Sequence, residues 1–195
     1  MKYLVSAFLL FAWAGQALAA DCRPYQKLLV GTAHRLFGLD APITMFISQI
    51  KQESDCRPGV TAWDNGRGLA QFMDGTTDQV ARLYPDLGTP EPYNPAWAIP
   101  AMLHYDAWIN ARVKGNTECD RWAATLNSYN RGLGYTQQAQ KVSSAPGVWF
   151  GVTEHVTGRQ SAKNFEYARM YPRWILFKHQ QHFLDWGTPV CEGRG

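Results

Sequence analysis

Apolar residues recur at helical spacing along most of the chain, and strand-like alternation is nearly absent. Leu28, Leu29, Ala33 and Leu36 predict a first helix over Pro24–Phe37, stopped by Gly38. Ile43, Phe46, Ile47 and Ile50 predict an amphipathic helix that ends at Glu53. Pro42 stands near its first turn, where proline is tolerated, and Arg57-Pro58-Gly59 breaks it. Thr76–Tyr84 reads as a short helix, and Trp97–Val113, with Ile99, Met102, Leu103 and Trp108, as a longer one. Asp120 is placed to cap a helix running through Asn130, and Thr136–Val142 forms another short helix. Lys163–Trp186 reads as a closing helix broken or kinked at Pro172. Between these lie the turn-forming run Asp64-Asn65-Gly66-Arg67-Gly68, the proline-rich loop Pro85–Pro95 and the irregular segment Ser143–Gly158. At most a small β-ribbon is suggested, around Val60–Trp63 and Val148–Thr153. The predicted fold is mostly α, a single domain with one cleft.

The N-terminus departs from this pattern. Lys2, the apolar stretch Tyr3–Ala14 and the Ala17-Leu18-Ala19 site read as a secretory signal peptide over residues 1–19. The apolar run is about a dozen residues, short of the ~20 that span a bilayer. Ala19-Ala20-Asp21 before Cys22 spoils a lipoprotein box, so no stable membrane anchor is expected. Residues 20–195, about 175 in all, suit one domain with one core. Without Lys2 the chain carries 18 basic and 16 acidic residues, a net charge of +2 against +3 for the full chain. No basic block stands out, so nucleic-acid binding by a charged patch finds no support.

Cys22, Cys56, Cys119 and Cys191 include no C-x-x-C pair, which argues against a zinc or redox site. Four cysteines in an exported chain suggest two disulfides. Three connectivities are open; the expected one joins Cys22 to Cys191 across the termini and Cys56 to Cys119 after the Glu53 helix. His179 and His182 lie three apart on a helix without a third ligand, so no metal or other cofactor is expected.

Glu53 carries the candidate chemistry. It extends the apolar face of its helix, where desolvation favours the protonated carboxyl that acid-catalysed glycoside cleavage needs. Two further segments follow in order. Gly68-Leu69-Ala70-Gln71-Phe72 joins a glycine that permits close backbone approach to a glutamine that can bond sugar hydroxyls. Asn127-Ser128-Tyr129-Asn130-Arg131-Gly132 places Trp122, Leu126 and Tyr129 on one helix face. Aromatics are abundant, with 8 Trp and 9 Tyr. Trp63, Trp97 and Trp149, in or near loops, are the cleft candidates among them.

Together Gln52-Glu53-Ser54 and these two segments resemble the soluble lytic transglycosylase family, which shares the lysozyme-like fold with goose-type lysozyme. The family pattern is Glu-Ser, then Gly-Leu-Met-Gln, then Ala-Tyr-Asn-x-Gly. Asn94-Pro95 leading into a helix and the closing Glu166…Tyr171 extend the resemblance over about residues 42–176. Ala70 and Ser128 depart from the usual methionine and alanine, and the closing motif is one residue longer than usual. The resemblance implies that Glu53 is catalytic, with Ser54, Gln71, Tyr129, Asn130 and Tyr171 binding substrate. The Tyr129 hydroxyl would point toward the Glu53 carboxyl, and Asn130 would orient the site. It also implies cleavage of the MurNAc-β-1,4-GlcNAc bond of peptidoglycan, with 1,6-anhydro ends, in the periplasm or outside the cell. Asp64 is the other nearby carboxylate and could position water in a goose-type muramidase. A non-catalytic peptidoglycan-binding component of an envelope-spanning machine is the reading from another class. Service to a secretion, conjugation, pilus or phage apparatus fits the family, but no residue selects among these partners.

Overall fold

Helix α2, Ile43–Ser54, sits in the core rather than on its edge, and every residue from Ile43 to Ile50 is buried. The computed structural model describes residues 21–157 and 161–191, so the leader expected over residues 1–19 lies outside them. The amphipathic reading of α2 is therefore corrected. Its polar positions Thr44, Ser48 and Gln49 are enclosed as well, and each side chain makes at least one hydrogen bond. Thr44 donates to Gln180 Oε1 (2.9 Å), Ser48 to the Thr44 carbonyl (2.6 Å) and Gln49 to Asp106 Oδ1 (3.3 Å).

The other helices are α1 (Gln26–Phe37), α3 (Asp74–Leu83), α4 (Pro95–Asn110), α5 (Glu118–Arg131), α6 (Leu133–Val142) and α7 (Ala162–Arg173). Helix α4 is nearly all apolar, and packs against α1, α3 and α5. Its start is set by Asn94, whose side chain accepts from the Ala96 N–H, and by Pro95 in the first turn. The cap of α5 is Thr117 rather than Asp120: Thr117 Oγ1 accepts from the Asp120 N–H at 3.1 Å. The Asp120 carboxylate instead accepts from the Trp149 N–H (2.9 Å), tying the 143–157 segment to the helix.

Helix α7 continues through Pro172 into a π-helical stretch, Trp174–His179, which packs on α2. Short 3-10 turns follow at Gln180–His182 and Leu184–Trp186. Buried Gln180 then pins the tail, bonding both the N–H and the carbonyl of Val190.

The ribbon is smaller than expected and placed differently. Single bridges join Thr61 to Arg67 and Arg67 to Phe72, while 148–153 forms turns and the start of a 3-10 turn at Thr153–His155. Gly68 adopts φ +70°, and a Cβ there would lie 1.9 Å from the Pro92 carbonyl oxygen, so the 60–73 loop can lock against the 88–94 loop only with glycine.

The disulfides also correct the expectation: they join Cys22 to Cys56 and Cys119 to Cys191. The N-terminal segment lies at the end of α2. The tail passes the start of α2, where Thr44 donates to the Thr188 carbonyl, and ends beside the first turn of α5. The two termini are therefore held to different helices rather than to each other.

Candidate active site

One cleft of about 920 Å³ opens over the end of α2. Glu53 and Gln52 form its floor, Trp63, Asp64, Gln71 and Phe72 line one part, Tyr105, Tyr129, Asn130 and Arg131 another, and Lys163, Asn164 and Tyr167 of α7 a third. Surrounding protein desolvates the Glu53 carboxyl, and this raises its pKa from 4.5 to about 7. A hydrogen bond from Tyr171 opposes the rise, and the charge of Asp64 adds to it.

The donor on Glu53 Oε1 is the Tyr171 hydroxyl, carried across from α7. Tyr129 was expected to fill that role. Its hydroxyl instead donates to the Ala70 carbonyl at 2.7 Å, because that carbonyl ends the turn after Gly68 and needs a donor. Tyr129 thus braces the cleft wall and presents its ring to the cleft, packed on Phe72 and edge-on to Tyr105. Burial and the nearby Glu53 charge hold both tyrosine pKa values well above the usual 10, so both remain donors.

Ser54 does not reach the cleft. It is 2% exposed, and its hydroxyl donates to the Leu69 carbonyl at 3.0 Å and the Ile50 carbonyl at 3.2 Å. Its place is to fasten the end of α2 to the Gly68–Phe72 turn. Tyr171 is 1% exposed and meets the acid from behind. Gln71 lines the cleft, but its amide N–H₂ is taken by the carbonyls of Gly68 (2.8 Å) and Val60 (3.4 Å). Its backbone is also left-handed, at φ 50°. Asn130 lines the cleft and is exposed. Asp64 lines it too, and its carboxylate accepts from the Gly66 N–H at 3.3 Å.

Of the three tryptophans expected there, Trp63 stands in the cleft, 95% exposed. Trp97 and Trp149 are 4% and 2% exposed and belong to the core, Trp97 packed edge-on against Phe72 and Trp149 held at its backbone N–H by Asp120. His179 shares a hydrogen bond with Gln52 (2.8 Å). No group of three or more His, Cys, Asp or Glu among the described residues is arranged to hold a metal ion.

The family model described as Transglycosylase SLT domain matches residues 30–149, well over half of the chain. The chain belongs to the SLT family. The match takes in Glu53, Gln71, Tyr129 and Asn130 and stops before Tyr171, so the donor to the acid comes from outside the matched span. No curated protein matches the chain. The family membership makes peptidoglycan the substrate at the general level. It also agrees with a mostly helical, lysozyme-like fold.

Sequence reading missed Tyr105, Arg131, Lys163, Asn164 and Tyr167, all of which line the cleft. Tyr105 had one available signal: with His104 and Asp106 it forms the only polar interruption in the apolar interior of α4. Lys163 and Asn164 gave none, since the first turn of a surface helix is ordinarily polar.

Proposed function

We propose that this SLT-family protein is a lytic transglycosylase that cleaves the MurNAc-β-1,4-GlcNAc bond and leaves 1,6-anhydroMurNAc ends. The observation that carries the reading is the Glu53 carboxyl: at the floor of the cleft, desolvated, hydrogen-bonded on Oε1 by Tyr171, with a pKa of about 7. A carboxyl poised there is protonated often enough to act as an acid and ionises readily afterwards.

Glu53 gives its proton to the bridging oxygen as the bond to C1 of the muramic sugar breaks. With Tyr171 on Oε1, Oε2 is the oxygen left to carry that proton. The acetamido group of the muramic sugar stabilises the oxocarbenium-like charge. The Glu53 carboxylate, still held by Tyr171, then takes the proton of the C6 hydroxyl as that oxygen attacks C1 of the same ring. No water is consumed. The internal hydroxyl benefits from high effective molarity, so a second catalytic carboxylate is not required. Action outside the cytoplasm, after removal of a leader, completes this reading.

Asp64 supports a second reading, since it lines the same cleft and its charge acts on Glu53. With Asp64 positioning water, the product would be a reducing end, as in a goose-type muramidase. Mass spectrometry of digested peptidoglycan separates the two: anhydro ends are expected, and reducing ends would replace the first reading with the second. Glu53→Gln, folded and tested beside it, should release nothing. A binding module would bind sacculi without releasing either product, and fragment release by a folded Glu53→Gln variant would remove Glu53 from the mechanism.

A further inference from the structure

A second buried carboxyl lies behind the cleft and takes no part in this mechanism. Asp106 of α4 is fully buried, as is Gln49 of α2, one helical turn before Glu53. Gln49 Nε2 donates to Asp106 Oδ1 at 3.3 Å. The remaining two side-chain oxygens, Gln49 Oε1 and Asp106 Oδ2, are both buried and lack any donor. Buried acceptors seldom go unpaired, and here two are left on the same pair of side chains. A proton on Asp106 Oδ2 gives Gln49 Oε1 its donor and turns one long contact into a two-bond acid–amide pair. An ionised Asp106 does the opposite, since it puts a charge in a dry core with one neutral donor.

We propose that Asp106 carries a proton in the resting protein, and that the neutral Asp106–Gln49 pair is a positioning device. It seats the Glu53 helix on α4 while placing no second negative charge behind the site.

The surroundings agree. The titratable groups acting on Asp106, or acted on by it, are Glu53 of α2, Tyr105 of its own helix, Tyr129 of α5 and Tyr171 of α7. None is a base. Burial and the Glu53 charge raise the Asp106 pKa well above its ordinary value, against the lowering effect of the Gln49 hydrogen bond. The placement has a chemical consequence. After protonating the leaving oxygen, Glu53 must exist as a carboxylate, and a fixed anion on the partner of Gln49, which lies one turn along α2, would oppose that step. A neutral acid supplies hydrogen bonds without the charge.

The positioning half of this proposal rests on the catalytic reading of Glu53; the proton on Asp106 does not. Infrared spectroscopy of the Glu53→Gln variant at about pH 9, above the Glu53 range, tests the proton directly. The carbonyl band of one protonated carboxyl is expected to persist and to vanish when Asp106→Asn is added. Absence of that band in Glu53→Gln overturns the proposal. For positioning, Asp106→Leu is expected to lose about tenfold in kcat with KM little changed, and Asp106→Asn, which can make the same two bonds, to restore it. The alkaline limb of the pH–rate profile should stay where it is in Asp106→Asn. Its descent by about one pH unit or more would show that the native group is ionised and would sink the idea. Full activity in Asp106→Leu would remove the positioning role while leaving the infrared result to stand by itself.

Discussion

Replacing Glu53 with glutamine should make the folded protein more stable above neutral pH even as it ends cleavage. Burial raises the Glu53 pKa from 4.5 to about 7, net of the Tyr171 hydrogen bond that lowers it and the Asp64 charge that adds to it. The unfolded chain releases this proton near its ordinary value, whereas the folded chain keeps it until about 7. Over that interval the folded state holds a proton that the unfolded state has lost. The stability this group contributes is therefore full below the unfolded value and disappears as pH rises through the folded one. A difference of about 2.5 units at 1.36 kcal/mol each amounts to about 3 kcal/mol. Glutamine has no proton to lose, so the variant escapes that loss. Denaturant titrations of both proteins at about pH 4, about pH 6 and about pH 8 give the difference in unfolding free energy. It should grow by about 3 kcal/mol in favour of the variant between the first and last. Any constant effect of exchanging a carboxyl for an amide beside Tyr171 cancels in that comparison. A difference that stays flat across the range would refute the claim that this carboxyl is held neutral by its surroundings. Stability given up at a site for the sake of its chemistry is a common trade.

Tyr171→Phe removes a bond that favours the ionised acid, so the alkaline limb of kcat should move to higher pH while kcat falls; a pH–rate profile reads both. Ser54→Ala should lower stability by about 1–2 kcal/mol, through loss of a buried hydrogen bond to the cleft turn, with KM on peptidoglycan unchanged. A raised KM at full stability would restore Ser54 as a substrate ligand. Gly68→Ala forces a Cβ to within 1.9 Å of the Pro92 carbonyl oxygen and should destabilise by more than about 3 kcal/mol, seen as a lower denaturation midpoint.

The helices were legible because their apolar periods are strong; each predicted one is present with boundaries shifted by a few residues, except the closing one, whose α-helical part ends at Arg173 and gives way to π and 3-10 turns. The period could not tell that α2 is enclosed from Ile43 to Ile50, because Thr44, Ser48 and Gln49 look like a solvent face until the tail and α4 that bond Thr44 and Gln49 are known. Glu53 was legible as an acid on an apolar helix, and the ordered motifs brought Gln71, Tyr129 and Asn130 to the same cleft. What the motifs could not convey is which hydroxyl meets which oxygen. Tyr129 and Tyr171 are both buried phenols near one carboxyl, and only the course of the Gly68 turn decides that Tyr129 serves Ala70. The disulfides were illegible for a similar reason, since pairing depends on where the termini run and not on spacing.

The pairing of the cysteines bears on the order in which the molecule can be completed. Cys22 bonds to the next cysteine in the chain, Cys56, and Cys119 to the next after that, Cys191. A chain that enters an oxidising space N-terminus first presents its thiols in the order in which they are needed, so no early bond has to be undone. The first loop closes around α1 and α2 and secures the turn just beyond Glu53, where Asp55 and Cys56 are both left-handed. The second waits for the last residues of the chain and draws the tail against α5. In a chain exported N-terminus first, covalent order would follow threading direction, and the helix that carries Glu53 would be tethered before the rest of the cleft has arrived.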